Sequence, residues 1–360
     1  MNAVFRELDR YKPDIDKTIA MMGKTYEDAL SHRGGNVTIR ALPKCDVEHY
    51  SRLDLTRYNY RNDIDLYARD LCGLMSESFE KRRAVDDNMI PSVSPVLGIG
   101  DYSAFVYGNI EFQKDTSWSK PVLGEIRDFR RLPEIGTSFW YGNFLNICEE
   151  ILKLSSGAGI PFMKGFFSPL DLAAALRGEA IYTDFYEAPE ELHELLDYCA
   201  DATIKFAEDV YALARRYLGG SKYGMWLIDK CIYMSEDIAC MISPRLYRKF
   251  CAPHTQRVID HFGTGHMHCH SRALYLVKEI CSLEKVASLW IATDPNQPRP
   301  IENIGRLVED SRGVCLAIDC DSFDEIVANM EAMRRGNVSI CLPVEGVDEA
   351  VRVTEEFKTL

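Results

Sequence analysis

Long apolar runs are missing from this 360-residue sequence. No stretch approaches the roughly 18 consecutive apolar residues that read as a membrane span, so no membrane partner is expected. Positive charge is also scarce: 42 Lys and Arg stand against 55 Asp and Glu, a net charge of -13. A chain this acidic gains nothing from releasing counterions on a phosphate backbone, so no nucleic-acid partner is expected either. No candidate strand is followed by a Gly-rich phosphate loop, which argues against a nucleotide-binding open sheet. Internal repeats of fixed period and low-complexity tracts are absent too, which excludes solenoid and tail-like architectures. The opening MNAVFRELDRYKPDID is charged and has no apolar core, unlike a signal peptide. Twelve Cys in such a chain read as free thiols, metal ligands or core residues, and a cytoplasmic location is the expectation.

What is present is ordinary globular material, 46% hydrophobic and 27% charged, enough for a sizeable core. Residues 1–88 are rich in Arg, Asp and Tyr, carry the turn-prone SHRGGN stretch, and then show a helical stripe through Leu71, Leu74, Met75 and Phe79. This region is expected to be a helical extension capping a larger domain over 89–360. From Ile90 onward short apolar segments alternate with amphipathic helices. Candidate strands are 92–99, 161–167, 223–228, 265–270, 286–292, 314–318 and 339–344. The clearest helix spans 189–216: Pro189 suits the first helical position and acids crowd the first turn. A second starts after Ser243, a natural cap, with Pro244 behind it. Such alternation points to parallel βαβ units, and a (β/α)8 TIM barrel is the commonest closed solution at this length. A doubly wound open sheet is the structural alternative.

Four segments carry a resemblance. GFFSPLDLAAALRGEAIYTDFYEAPEELHELLDYC, SEDIACMISPRLYRKFCAPHTQRVIDHF, GHMHCHSRALYLVKEI and VSICLPVEGVDEAVRV occur in this order. Their order and spacing resemble the uroporphyrinogen decarboxylase and cobamide-dependent methyltransferase superfamily. The resemblance covers about Ile90 to the C-terminus and implies a (β/α)8 barrel enzyme. Its porphyrinogen-decarboxylating members carry an Arg-rich first strand that holds substrate carboxylates. Residues 92–99, read as the first strand, contain no Arg, and eight carboxylates need guanidinium forks. The methyltransferase branch is therefore favoured: a methyl group would pass from a corrinoid carried on a partner protein to a small-molecule thiol activated by zinc. The alternative is a cofactor-free decarboxylase acting on a smaller carboxylated substrate. A third reading is a catalytically dead barrel that binds a corrinoid or a tetrapyrrole. Dimers are common in the superfamily, and a homodimer is compatible with the resemblance.

The methyltransferases hold zinc with a His-x-Cys pair on one strand and a Cys on the last strand. Here the strand reads His266-Met267-His268-Cys269-His270, and alternate residues share a face. The register that the resemblance implies makes His266, His268 and Cys341 the metal ligands, two imidazoles and one thiolate with one position open. With fewer thiolates than the family's set, cobalt, iron and nickel compete better. Asp294 is the candidate for a resting acidic ligand. Asp229, Asp319, Asp321 and Glu345 fall at strand ends, where this fold keeps its active sites. Asp229, Asp294 and Glu345 are taken as catalytic candidates. Asp321 reads as a helix cap. Tyr107, Trp118, Trp140 and Trp226 are candidate pocket linings, and Lys164 points either to the barrel mouth or outward.

Overall fold

The computed structural model describes residues 4–11, 14–44, 52–219 and 231–360. In chain order the principal elements are α1 (Ile15–Leu30), β1 (Asn36–Pro43), α2 (Ile64–Arg82), α3 (Phe139–Ser155), β2 (Phe166–Phe167), α4 (Pro169–Arg177) and α5 (Pro189–Leu218). They continue with β3 (Ile232–Ser235), α6 (Ala252–Phe262), β4 (Gly265–His270), β5 (Val286–Ala292), α7 (Ile304–Ser311), β6 (Cys315–Asp319), α8 (Phe323–Met333), β7 (Asn337–Val344) and α9 (Val347–Phe357). The seven strands form one parallel sheet in the order β2-β3-β4-β5-β6-β7-β1. A small antiparallel hairpin, Ile110–Phe112 with Ser117–Ser119, stands apart. Among the described residues no helix is long and apolar enough to cross a membrane.

Local chemistry explains the helix starts. Asp14 accepts from the Lys17 N–H at 3.1 Å, Ser168 from Asp171 at 3.1 Å, and Ser322 from Glu325 at 3.3 Å. The cap expected at Asp321 is thus Ser322. Ser243 caps the turn Pro244–Leu246, which runs through a π-turn at Tyr247–Cys251 into α6. α5 buries Leu192, Leu195, Leu196, Cys199, Phe206 and Val210 along one stripe.

The expectation that residues before Asn88 lie outside the sheet as helices is corrected. β1 pairs in register with the last strand, from Asn36 opposite Asn337 to Pro43 opposite Val344. A charge at Arg40, in the middle of β1, interrupts the apolar pattern and hid the strand. β3 was also missed; IYMS is too short to show a period. Conversely, residues 92–99 form no ladder strand, only a parallel bridge from Val93 to Phe162. The candidate strand 223–228, with Trp226, lies outside the described residues.

The segment after α2 runs from the β1 edge of the sheet to the residues that lead into β2. At the β1 edge, the Asn88 N–H donates to the Ile39 carbonyl at 2.9 Å, and the Asn88 Oδ1 accepts from the Ile39 N–H at 2.9 Å. At the other end, the Val93 N–H donates to Pro161 and the Met163 N–H to Val93, both at 2.9 Å. A fully buried ion pair anchors this crossing: Arg82 Nη2 lies 2.8 Å from Asp87 Oδ2, which also accepts from the Ala41 N–H at 2.8 Å. Removing one partner strands a buried charge, so Arg82→Met should destabilise the fold by roughly 3–5 kcal/mol in urea unfolding. A loss under 1 kcal/mol would show that the pair does not anchor β1.

Candidate metal centre

The site is assembled at the ends of β3 and β4. Lateral register places Tyr233, His266 and Ser288 in one row and Ser235, His268 and Trp290 in the next. His266, His268 and His270 therefore share one face. Cys269 faces the other way, fully buried in the core.

The three histidines have different surroundings. His266 is buried, its Nδ1 2.8 Å from Ser288 Oγ and its ring against Tyr26 at 4.9 Å. Burial pushes its pKa down to about 4, so it stays neutral. His268 donates from Nδ1 to the Trp290 carbonyl at 3.2 Å, and its ring packs against Trp290 at 4.4 Å. Its pKa is lowered, chiefly by burial and against the pull of Asp237. His270 donates from Nδ1 to Asp294 Oδ1 at 2.7 Å. Its pKa is raised to about 9, first by Asp237 and then by Asp294, against burial.

With both Nδ1 atoms committed, the two Nε2 atoms converge on one oxygen. Asp237 Oδ1 is 3.4 Å from His268 Nε2 and 3.5 Å from His270 Nε2. Two ligands of one tetrahedral zinc, each about 2.0–2.2 Å from the ion, stand roughly 3.3–3.5 Å apart. The donor chemistry and the spacing both fit a divalent cation. Among the described residues Asp237, His268 and His270 are the one trio of His, Cys, Asp or Glu whose ligand atoms lie within 4.8 Å of one another.

Backbone anchors hold Asp237 in place. Asp171, in the first turn of α4, accepts from the Asp237 N–H at 3.0 Å, the Ile238 N–H at 2.9 Å and the Ser235 hydroxyl. Burial, then the neighbouring Asp237 and Glu236, raises the Asp171 pKa well above the usual carboxylate range. Glu236 faces the helices, accepting from Tyr247 at 3.0 Å and Thr255 at 2.7 Å, with burial lifting it to about 7.

The geometry brings together a set other than the expected one. His268 belongs to the trio; His266 and Cys341 do not. β4 and β7 are separated by two strands, and Cys341 instead faces Asp319 on one side and Arg40 on the other. Its Sγ accepts from Arg40 Nη2 at 2.9 Å, and burial pushes the thiol up. Asp294 sits beside the trio, as a partner of His270. Glu345 is exposed at the end of β7 and ion-paired with Lys44, away from the trio. Asp229 lies outside the described residues.

The other expected residues scatter. Lys164 turns inward and pairs with buried Asp101 at 3.3 Å. Trp140 is core, stacked on Phe144, whereas Tyr107 is exposed. Trp118 lines a groove of about 320 Å³ with Tyr182, Ile99 and Ile238, and Asp237 forms part of its wall. The loop beside Trp118 depends on Gly98: at φ +77° an added Cβ would sit 2.1 Å from the Ser117 nitrogen. Sequence reasoning missed Asp237 and Asp171, although both lie in the segments that carry the resemblance. The strand before Asp237 is too short to show a period, and Asp171 reads as an ordinary first-turn acid of α4.

No protein-family model matches the chain, and no curated protein matches it. Among solved structures it is similar to a methyltransferase from Methanosarcina mazei, with a TM-score of 0.60 and 12% identity over 94% of this chain and 99% of that one. At that identity the likeness is one of fold.

Proposed function

We propose that this protein is a metal-dependent methyltransferase of the uroporphyrinogen decarboxylase and cobamide-dependent methyltransferase superfamily, with Asp237, His268 and His270 as its metal ligands. The observation that carries the reading is the convergence of two oriented Nε2 atoms on Asp237 Oδ1 at 3.4 and 3.5 Å. The shared fold with a methyltransferase supports it. In the proposed architecture residues 88–93 close the seven-stranded sheet as the eighth stave of a (β/α)8 barrel, because they hydrogen-bond to β1 and to the residues that lead into β2. When bound, a divalent ion such as zinc supplies Lewis-acid activation to the methyl acceptor. Asp294 and the Trp290 carbonyl orient the two imidazoles, a role that outer partners of metal ligands commonly play. Asp171 fixes the loop that presents Asp237. The groove beside Trp118 and Tyr182 gives a partly apolar approach to the centre. In this reading the methyl donor is a methylcorrinoid on a partner protein and the acceptor a small thiol.

The set is one carboxylate and two imidazoles, harder than the sulfur-containing set that the resemblance implied, so cobalt, iron and nickel compete with zinc. The first strand is β1, and it carries Arg40, so the lack of an Arg there no longer counts against a carboxylated substrate and the cofactor-free decarboxylase alternative. Elemental analysis of protein purified without chelator should find one divalent ion per chain. Metal-loaded protein should demethylate methylcobalamin in the presence of small thiols, and chelated protein should not. Metal-free protein that releases CO2 from a carboxylic acid would replace this reading with decarboxylation.

A further inference from the structure

The groove of about 320 Å³ beside the metal centre carries charge of one sign only. Its floor is one face of α4: Asp171, Ala174, Ala175 and Gly178 recur at helical spacing, and the last three leave the helix surface bare. The opposite wall is apolar, with Ile99, Pro121 and Ile238 beside the rings of Trp118 and Tyr182. Trp118 is 49% exposed, so much of its ring is open to a ligand. One end of the floor lies at Asp171 and Asp237. The other lies at Gly178 and Glu179, about 10 Å away by helical rise. Among the described residues no Lys, Arg or His lines the groove. The cations nearest in sequence are engaged elsewhere, Lys120 with Glu111 and Arg177 with Asp184 at 2.8 Å. Asp237 faces His268 and His270, whereas Glu179 is exposed and forms no ion pair among the described residues. The charge left for a ligand therefore stands at the Glu179 end, and Tyr182 follows it by three residues.

We propose that this groove binds an elongated organic cation, with its ammonium group at Glu179 and an apolar body lying along α4 toward Asp237. A carboxylate and the faces of Trp and Tyr rings both attract an ammonium. The body gains by leaving water against Ala174, Ala175, Ile99 and Ile238. An anion of the same shape meets Glu179 and no cation. A zigzag chain of about eight bonds, each near 1.5 Å, covers the floor. As a substrate site the groove rests on the methyltransferase reading above: the ligand is then the methyl acceptor, its thiol end beside Asp237. The preference for a cation rests on the groove alone.

The test is calorimetric titration of the EDTA-treated full chain with butylamine, hexylamine, octylamine and decylamine, and with 1-octanol and octanoate. Octylamine should bind one to one. Each added methylene should tighten binding about 3–4-fold, up to roughly eight carbons. Octylamine should bind about 10-fold more tightly than octanol, and octanoate more weakly than either. Glu179→Gln should remove the advantage of the amine and leave octanol unchanged. Ala175→Leu fills the floor and should weaken amine and alcohol together, by at least about 10-fold. Glu331→Gln, at an exposed position on α8, should change nothing, which controls for the pull of the net charge of -13 on any amine. Equal affinity for octylamine and octanol, a preference for octanoate, or an amine preference that survives in Glu179→Gln would overturn the site. In metal-loaded protein, 6-amino-1-hexanethiol should bind at least about 10-fold more tightly than hexylamine, and EDTA should abolish that gain. A thiol that adds nothing, with the amine preference intact in protein shown to hold metal, would overturn the acceptor role alone. If no metal loads, the metal centre fails while the amine titrations still decide the cation site.

Discussion

His270→Ala should lower divalent-metal affinity by at least about 100-fold, because it removes one of three converging ligands. Asp237→Ala should do the same. Asp294→Asn keeps a hydrogen-bond acceptor but loses the charge that orients His270, so a loss of roughly 10–100-fold is expected. Cys341→Ser should leave metal affinity within about twofold of wild type, since its sulfur faces Arg40 at 2.9 Å and not the trio. Competition titration with a chromogenic chelator would measure all four. Retained affinity in His270→Ala together with a loss in Cys341→Ser would restore the set His266, His268 and Cys341 and remove the trio described above.

Metal affinity should climb about tenfold per pH unit from pH 7 to pH 9 and then level off, a total of about 100-fold. The cause is His270, whose pKa in the metal-free protein is raised to about 9 by Asp237 and Asp294. At pH 7 its ring is protonated, and a metal must displace that proton. His268 adds nothing to this slope, because its pKa is lowered and it is already neutral. The stability of the metal-free protein should change in the opposite direction. A pKa raised above the unfolded value of about 6.5 contributes stability that is complete below that pH and is lost as pH rises through about 9. Urea unfolding of metal-free wild type against His270→Gln should therefore show a gap that closes between pH 6.5 and 9. A flat affinity profile over the same range would mean that His270 is neutral at pH 7 and that Asp237 and Asp294 do not hold it charged.

Much of the fold was legible before any coordinates. β4 and β5 start and end where the expected strands 265–270 and 286–292 do, and α5 begins at Pro189, because these features depend on neighbours in sequence. The capping Ser243 is of the same kind. Strand parity likewise required His266, His268 and His270 to share a face and Cys269 to oppose them. Asp294 could be singled out as an acid just past a strand end.

The choice among the three histidines was not available from parity. All three satisfy it equally; what separates them is distance from the loop after β3, which places Asp237 beside the last two and leaves His266 against Ser288 and Tyr26. That loop follows a four-residue strand with no readable period, held by Asp171 from α4, 66 residues earlier. The fate of Cys341 was equally non-local. Only the pairing of β1 with β7 sets Arg40 beside it, and the buried charge on β1 is what concealed that strand in the sequence. Periodicity and capping are short-range and could be read directly. Ligand convergence and charge pairing depend on strands brought together from distant parts of the chain, and those the tertiary structure alone decided.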